Sequence, residues 1–290
     1  MPTKQEKDAF TGRETTGHEW DGIRELDTPL PLWWLYCFYA TIVFTIGYCV
    51  LYPAIPFLQS HSEGLLGYTQ RAALTEEIAA ATSAQSGIRQ KIRDTALLDI
   101  RKDADLLAFA QIGGRAAFSD NCAPCHRAGG AGTKGFPNLA DDDWLWGGSL
   151  TAIQQTIAHG IRNSDPDSRQ NPMPAFGADG ILTPAQIGDV VDFVLSLSQK
   201  ATASNPAIER GRKVFAENCV ACHGPSGAGN QELGAKNLAN GIWLYGGDKP
   251  SLVETVGQGR SGSMPAWDER LDAETIKMLT IYVHSLGGGL

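Results

Sequence analysis

The sequence predicts a mainly α-helical chain: one N-terminal transmembrane helix, a helical stalk, then two tandem copies of one small helical unit. Three observations predict it. No Asp, Glu, Lys or Arg occurs from Thr28 to Ser62, and "LWWLYCFYATIVFTIGYCVLY" (32–52) is long enough to span the hydrocarbon of a bilayer as a helix. A stretch rich in Ala, Leu, Glu and Arg follows, with few helix breakers. The remainder is an internal duplication.

In chain order, residues 1–31 form a polar arm of mixed charge, and 32–58 the anchor. Trp33, Trp34 and Tyr36 at one end of the anchor, with Tyr48 and Tyr52 near the other, sit where an aromatic belt would place them, and Pro53 and Pro56 close the run. A charged segment precedes the run, and the run is too long for a signal-peptide core, so the anchor is expected to remain uncleaved. Arg13 and Arg24 lie before the span and only Arg71 shortly after it, a small bias towards an N-terminus on the cytoplasmic side. Residues 59–110 are expected to form one or two helices of a stalk.

The two copies are expected over 111–199 and 206–290, joined by the small polar linker "SQKATASNPA" (198–207). "GRAAFSDNCAPCH" (114–126) matches "GRKVFAENCVACH" (211–223) without a gap, and "NLADDDWLWGG" (138–148) matches "NLANGIWLYGG" (237–247). "MPAFGADGILT" (173–183) matches "MPAWDERLDAE" (264–274), and "VVDFVLSLS" (190–198) matches "LTIYVHSLG" (279–287). Each copy therefore has a first helix bearing Gly-x-x-x-Phe, a Cys-x-x-Cys-His, a glycine-rich loop, a short helix, a Met-Pro loop and a final apolar helix. Gly114 and Gly211 are expected to let first and last helices cross closely.

Cys-x-x-Cys-His is the attachment pattern of c-type haem. Two thiols on one turn, Cys122 with Cys125 and Cys219 with Cys222, reach the two vinyl groups of one porphyrin, and His126 or His223 then meets the iron from the proximal side. A zinc site would need further Cys or His recurring within each copy. His159 corresponds to Gln258, and His284 to Leu195, so neither recurs. A thioredoxin-like dithiol would sit in a βαβ setting, and no strand pattern surrounds these motifs. Cys37 and Cys49 lie in the apolar run, so no cysteines remain for a disulfide framework. Met173 follows His126 by 47 residues and Met264 follows His223 by 41; these recurring Met-Pro methionines are the candidate second axial ligands. Met/His ligation raises the reduction potential and suits electron transfer. Each methionine could serve the haem of its own copy, or two packed copies could exchange the loops; the sequence leaves both open.

Met278, in the last helix, has no counterpart and reads as core; His18, His61, His159 and His284 also read as structural. Trp144 and Trp243 recur and are expected to wall the haem pockets or bond a propionate, and Asn138 and Asn237 to pin a loop. The net charge of −8, without a basic stretch, argues against nucleic acid. Residues 111–199 carry five Lys/Arg against nine Asp/Glu, whereas 200–290 carry nine of each. Asp141, Asp142 and Asp143 concentrate that acidity, a surface expected to steer a basic donor towards the first haem. Covalent haem attachment occurs on the outer face of an energy-transducing bacterial membrane, which places the haem domains in the periplasm and the N-terminus inside.

The N-terminal stretch "GHEWDGIRELDTPLPLWW" (17–34), followed by "YPAIP" (52–56) and "GLLGYTQR" (64–71), resembles the membrane-anchored dihaem cytochrome c subunit of cbb3-type cytochrome c oxidases, the FixP/CcoP family. The resemblance covers nearly the whole chain. It implies two tandem class I cytochrome c domains, and two covalently bound haems on Cys122, Cys125 and His126 and on Cys219, Cys222 and His223. It also implies a bacterial inner-membrane complex with the oxidase catalytic subunit and other cytochrome subunits as partners. A donor cytochrome c or quinol–cytochrome c reductase would supply electrons, and no catalytic centre is expected in this chain. A membrane-anchored dihaem carrier for another periplasmic redox complex is the rival reading.

Overall fold

The computed structural model describes residues 5–199 and 205–287; of the expected linker, 200–204 lie outside the described residues. The chain divides into a unit of residues 1–84 and one of 85–290.

In the first unit, the arm forms a β-hairpin, β1 (Thr15–Trp20) and β2 (Ile23–Leu26). Asp21 and Gly22 turn it with φ of 52° and 86°, the left-handed pair that a two-residue hairpin loop requires. The anchor, α1 (Leu32–Leu51), has no buried residue and is the one described helix long and apolar enough to cross a membrane. It stops at Tyr52, which is extended because Pro53 follows. The amides of Leu65 and Leu66 donate to the carbonyls of Val50 and Leu51 (2.9 and 3.1 Å), so the returning chain caps the helix end. Gly64 makes this approach possible: at φ +73°, a Cβ there would lie 2.5 Å from the Leu51 carbonyl oxygen.

The stalk is one helix, α2 (Gln70–Asp94), followed by the single turn α3 (Leu97–Ile100). In the second unit, the C-terminal part of α2 buries Ile92, and α3 buries Ile100, against Leu106 and Ala110 of α4 (Ala104–Asn121) and Met278 and Ile281 of α11 (Ala273–Leu286). Met278 is thus core, as its lack of a counterpart suggested. Lys277 donates to the carbonyls of Ile92, Arg93 and Thr95 (3.2, 2.7 and 2.7 Å), satisfying the orphan acceptors at the end of α2. Arg93 makes a two-pronged pair with Glu274 (3.2 and 2.8 Å).

The remaining helices are α5 (Ala123–His126), α6 (Leu150–His159), α7 (Pro184–Gln199), α8 (Pro206–Asn218), α9 (Val220–His223) and α10 (Lys249–Gln258). They do not pack copy by copy. The first helix of copy one, α4, packs on the last helix of copy two, α11, and α7 of copy one packs on α8 of copy two. The glycines of Gly-x-x-x-Phe sit at these crossings. A Cβ on Gly114 would lie 2.2 Å from the Met278 carbonyl oxygen, and one on Gly211 2.0 Å from that of Asp189. Close crossing of first and last helices was legible; that the partner comes from the other copy was not. Each core is accordingly mixed. Phe118, Ile153 and Ile157 of copy one meet Ile276, Leu279 and Val283 of copy two. Val214, Phe215 and Leu252 of copy two meet Phe176, Ile187, Val190, Val191, Phe193 and Val194 of copy one.

Candidate haem-binding sites

Each Cys-x-x-Cys-His is a short helical turn continuing the first helix of its copy. Cys122 follows α4 and Cys219 follows α8, each amide bonded to the phenylalanine carbonyl four residues back (2.8 and 2.9 Å). The turn ends in a residue of positive φ: Gly224 (73°) in copy two and Arg127 (63°) in copy one. Burial pushes the Cys122 and Cys219 thiols up to about 11, with the neighbouring Cys125 and Cys222 adding to the rise.

The motif histidines are oriented alike. His126 Nδ1 bonds the Pro137 carbonyl (3.1 Å), and His223 Nδ1 bonds the Lys236 carbonyl (2.9 Å). With Nδ1 so engaged, Nε2 is the nitrogen left for a metal, and the carbonyl fixes tautomer and ring plane. Burial lowers both imidazole pKa values and the carbonyl bonds oppose it. These features fit covalent c-type haem.

The methionine loops cross between copies. Met264 and Ile161, the residue two after α6 of copy one, exchange both backbone hydrogen bonds (2.9 Å each). Met173 and Arg260, two after α10 of copy two, do the same (2.9 and 3.2 Å). Gly160 and Gly259, at φ +67° and +69°, admit the strands: a Cβ would lie 2.3 Å from the Met264 carbonyl oxygen and 2.5 Å from that of Met173. Beyond the methionines, Trp267 donates to the Ala158 carbonyl (2.8 Å) and Phe176 to that of Val256 (3.1 Å). Met173 packs in the same cluster as Cys219, Val220 and Trp243, the surroundings of His223.

Trp144 packs against the same core as Cys122 and Ala123, and Trp243 against the same core as Cys219 and Val220. Asn138 and Asn237 accept from the amides two residues on (2.9 Å each), turning their own loops. His159 meets Asp165 (3.2 Å) and Asp268 (3.5 Å), linking the copies. Among the acidic triplet only Asp142 is fully exposed; Asp143 pairs with Lys236, and burial raises the Asp141 carboxyl. A cleft of about 420 Å³ lies between the copies, lined by both Pro137 and Lys236.

Two arginines escaped the sequence reading. Arg169 lies over the Trp146 ring (5.2 Å) and Arg260 over that of Tyr245 (4.4 Å). Each stands four residues before its Met-Pro, a recurrence that could have found them. Arg162 had no such signal. It bonds the Gly262 and Asn171 carbonyls (2.7 and 3.2 Å), one in each methionine loop, and burial lowers its pKa.

Comparison with known proteins agrees with this architecture. Residues 12–59 match the family described as the N-terminal domain of cytochrome oxidase-cbb3, FixP. Residues 112–198 match cytochrome c, and 206–283 match cytochrome c oxidase, cbb3-type, subunit III. The chain is 54% identical to the cbb3-type cytochrome c oxidase subunit FixP of Azorhizobium caulinodans, over 97% of this chain and 96% of that one. It is 52% identical to FixP of Bradyrhizobium diazoefficiens over the full length of both. It is 47% identical to the subunit CcoP of Cereibacter sphaeroides, over 99% of this chain and 98% of that one. With paired cytochrome c domains behind an apolar anchor, and identity sustained from end to end, the chain belongs to the FixP/CcoP family of cbb3-type cytochrome c oxidase subunits.

Proposed function

We propose that this chain is the dihaem electron-transfer subunit of a cbb3-type oxidase, taking electrons from a donor cytochrome and passing them towards the oxygen-reducing subunit. The observation that carries it is the pair of Cys-x-x-Cys-His turns whose histidines are each locked by a carbonyl at Nδ1. The bound haems supply one-electron chemistry at iron. The chain's own part is to hold, orient and shield them. Cys122 and Cys125 anchor one haem and Cys219 and Cys222 the other, and His126 and His223 are the proximal ligands. Met264 is assigned to the His126 haem and Met173 to the His223 haem, because each methionine loop is hydrogen-bonded to the other copy's short helix. With His126 and Met264 holding one haem iron and His223 and Met173 the other, the bound haems would supply electron transfer rather than oxygen chemistry.

The arm lies on the cytoplasmic side and the haem domains in the periplasm, as covalent haem attachment requires. The donor is a cytochrome c or a quinol–cytochrome c reductase, approaching the acidic first copy. Asp142 is the exposed member of the triplet, so Asp142→Asn should slow reduction by a basic cytochrome at low salt and little at high salt. An equal low-salt rate would place docking elsewhere.

The test of the whole reading is haem content together with ligand assignment. Denatured protein should retain two covalent haems per chain. Met264→Ala should remove the methionine–iron absorption band of the haem attached at Cys122 and Cys125, and Met173→Ala that of the other. Loss at the opposite haem in each variant would overturn the crossed assignment, and fewer than two covalent haems would overturn the function.

A further inference from the structure

In copy one the carbonyl that holds His126 belongs to Pro137, whose ring fixes its own φ. In copy two the matching residue is Lys236, which has no such constraint. The structure supplies another. The Lys236 ammonium is paired with the Asp143 carboxylate of copy one, and both side chains are nearly buried, 14% and 13% exposed. Asn240 closes the cluster, donating to the other Asp143 oxygen (2.6 Å) and accepting from Lys236 (3.4 Å). The reciprocal contact does not exist: Ile242 occupies the position in copy two that Asp143 occupies in copy one. One repeat therefore reaches into the other at the residue whose carbonyl orients His223 and, among the described residues, pairs there through a single carboxylate, Asp143.

We propose that Asp143, acting through Lys236, is a positioning residue for the second haem: it holds the Lys236 carbonyl against His223 Nδ1 and thereby sets that ligand's orientation and basicity. This rests on His223 being an iron ligand. A carbonyl accepting from Nδ1–H makes the imidazole a stronger donor, which favours the ferric state and lowers the potential. Releasing the carbonyl should raise the potential of the second haem alone. The first haem, held through Pro137, should not respond.

The experiment uses the full-length dihaem protein in detergent and follows the hyperfine-shifted imidazole signals of both proximal histidines, with each haem's potential. In the wild type, the presence of a His223 signal tests ligation itself; its absence would remove the ligand reading, whatever the tether does. Asp143→Asn and Lys236→Met should each shift the His223 signal, speed exchange of its Nδ1 proton with solvent, and change the reduced-to-oxidised ratio of that haem several-fold at fixed poise. A lost charge could move the potential without moving the ring, so the double variant Lys236→Pro, Asp143→Asn decides between them. It restores a ring-fixed carbonyl without the ion pair, and should return the His223 proton exchange to the wild-type rate. Unchanged exchange in both single variants, or equal changes at His126, would overturn the proposal.

Discussion

Arg127 occupies a backbone conformation (φ 63°, ψ 168°) that is essentially reserved for glycine, and Gly224 occupies the matching position in copy two. Replacing Arg127 with Gly should therefore stabilise the protein by about 1 kcal/mol or more, read as a rise in denaturation midpoint. An unchanged or lowered midpoint would show that the Arg127 side chain compensates the strain. The motif histidines show a related contrast: His126 Nδ1 meets the carbonyl of a proline, Pro137, and His223 Nδ1 that of a lysine, Lys236. The Cys-x-x-Cys-His motifs themselves were legible in the sequence, and so was the recurrence of Met173 and Met264. The Lys236–Asp143 pair was not legible, because its members lie 93 residues apart and neither recurs. "DDDW" read as a free acidic surface because a sequence shows charge but not burial. The structure leaves only Asp142 of the three fully exposed.

Helices α4 and α11 approach so closely at Gly114 that even a methyl group would meet backbone. Gly114→Ala should cost about 3 kcal/mol, since overpacking against a carbonyl finds no rotamer to relieve it. Gly188→Ala in α7 provides the contrast, because nothing lies within 4 Å of its Cβ position. It should stabilise by about 1 kcal/mol through helix propensity. Equal effects at the two positions would refute the close crossing. The end of α2 is tied to α11 by Arg93 and Glu274, and the hydrogen bond from Arg93, more than any other cause, holds the Glu274 carboxyl below its usual value. A depressed carboxyl contributes stability that is present above the ordinary carboxylate range and is lost as pH falls through the folded value. The Tm difference between wild type and Glu274→Gln should thus be constant at neutral pH and shrink in acid. A pH-independent difference would mean that the pair contributes no charge-dependent stability. At this scale the helices and the single anchor were legible from period and composition. The N-terminal hairpin was missed, although its Asp-Gly between β-prone residues is a recognised turn signal.

Taken as a whole, the described residues of 85–290 form three buried clusters, each with side chains from both copies. A chain ending at Gln199 would lack α11 and the Met264 loop, leaving Phe118, Ile153 and Ile157 without their partners. Such a truncation should not yield a methionine-ligated haem at His126, and co-expression of residues 200–290 should restore it. A truncated protein with an intact methionine–iron band would show that copy one folds on its own elements.

By itself the sequence determined the apolar anchor helix, the duplication, the two Cys-x-x-Cys-His motifs, the recurring Met-Pro loops and the family. Each is local: a run of apolar side chains, a motif within one helical turn, a recurrence at fixed spacing. Only the tertiary structure decided which copy completes which core, which short helix each methionine loop is bonded beside, and that Asp143 pairs with Lys236. Two copies of one sequence present nearly equivalent surfaces, so α4 could accept α7 or α11 by pattern alone. Contacts at the end of α2 favour α11: Glu274 and Lys277 of α11 bond Arg93 and Ile92 of α2, more than 180 residues away.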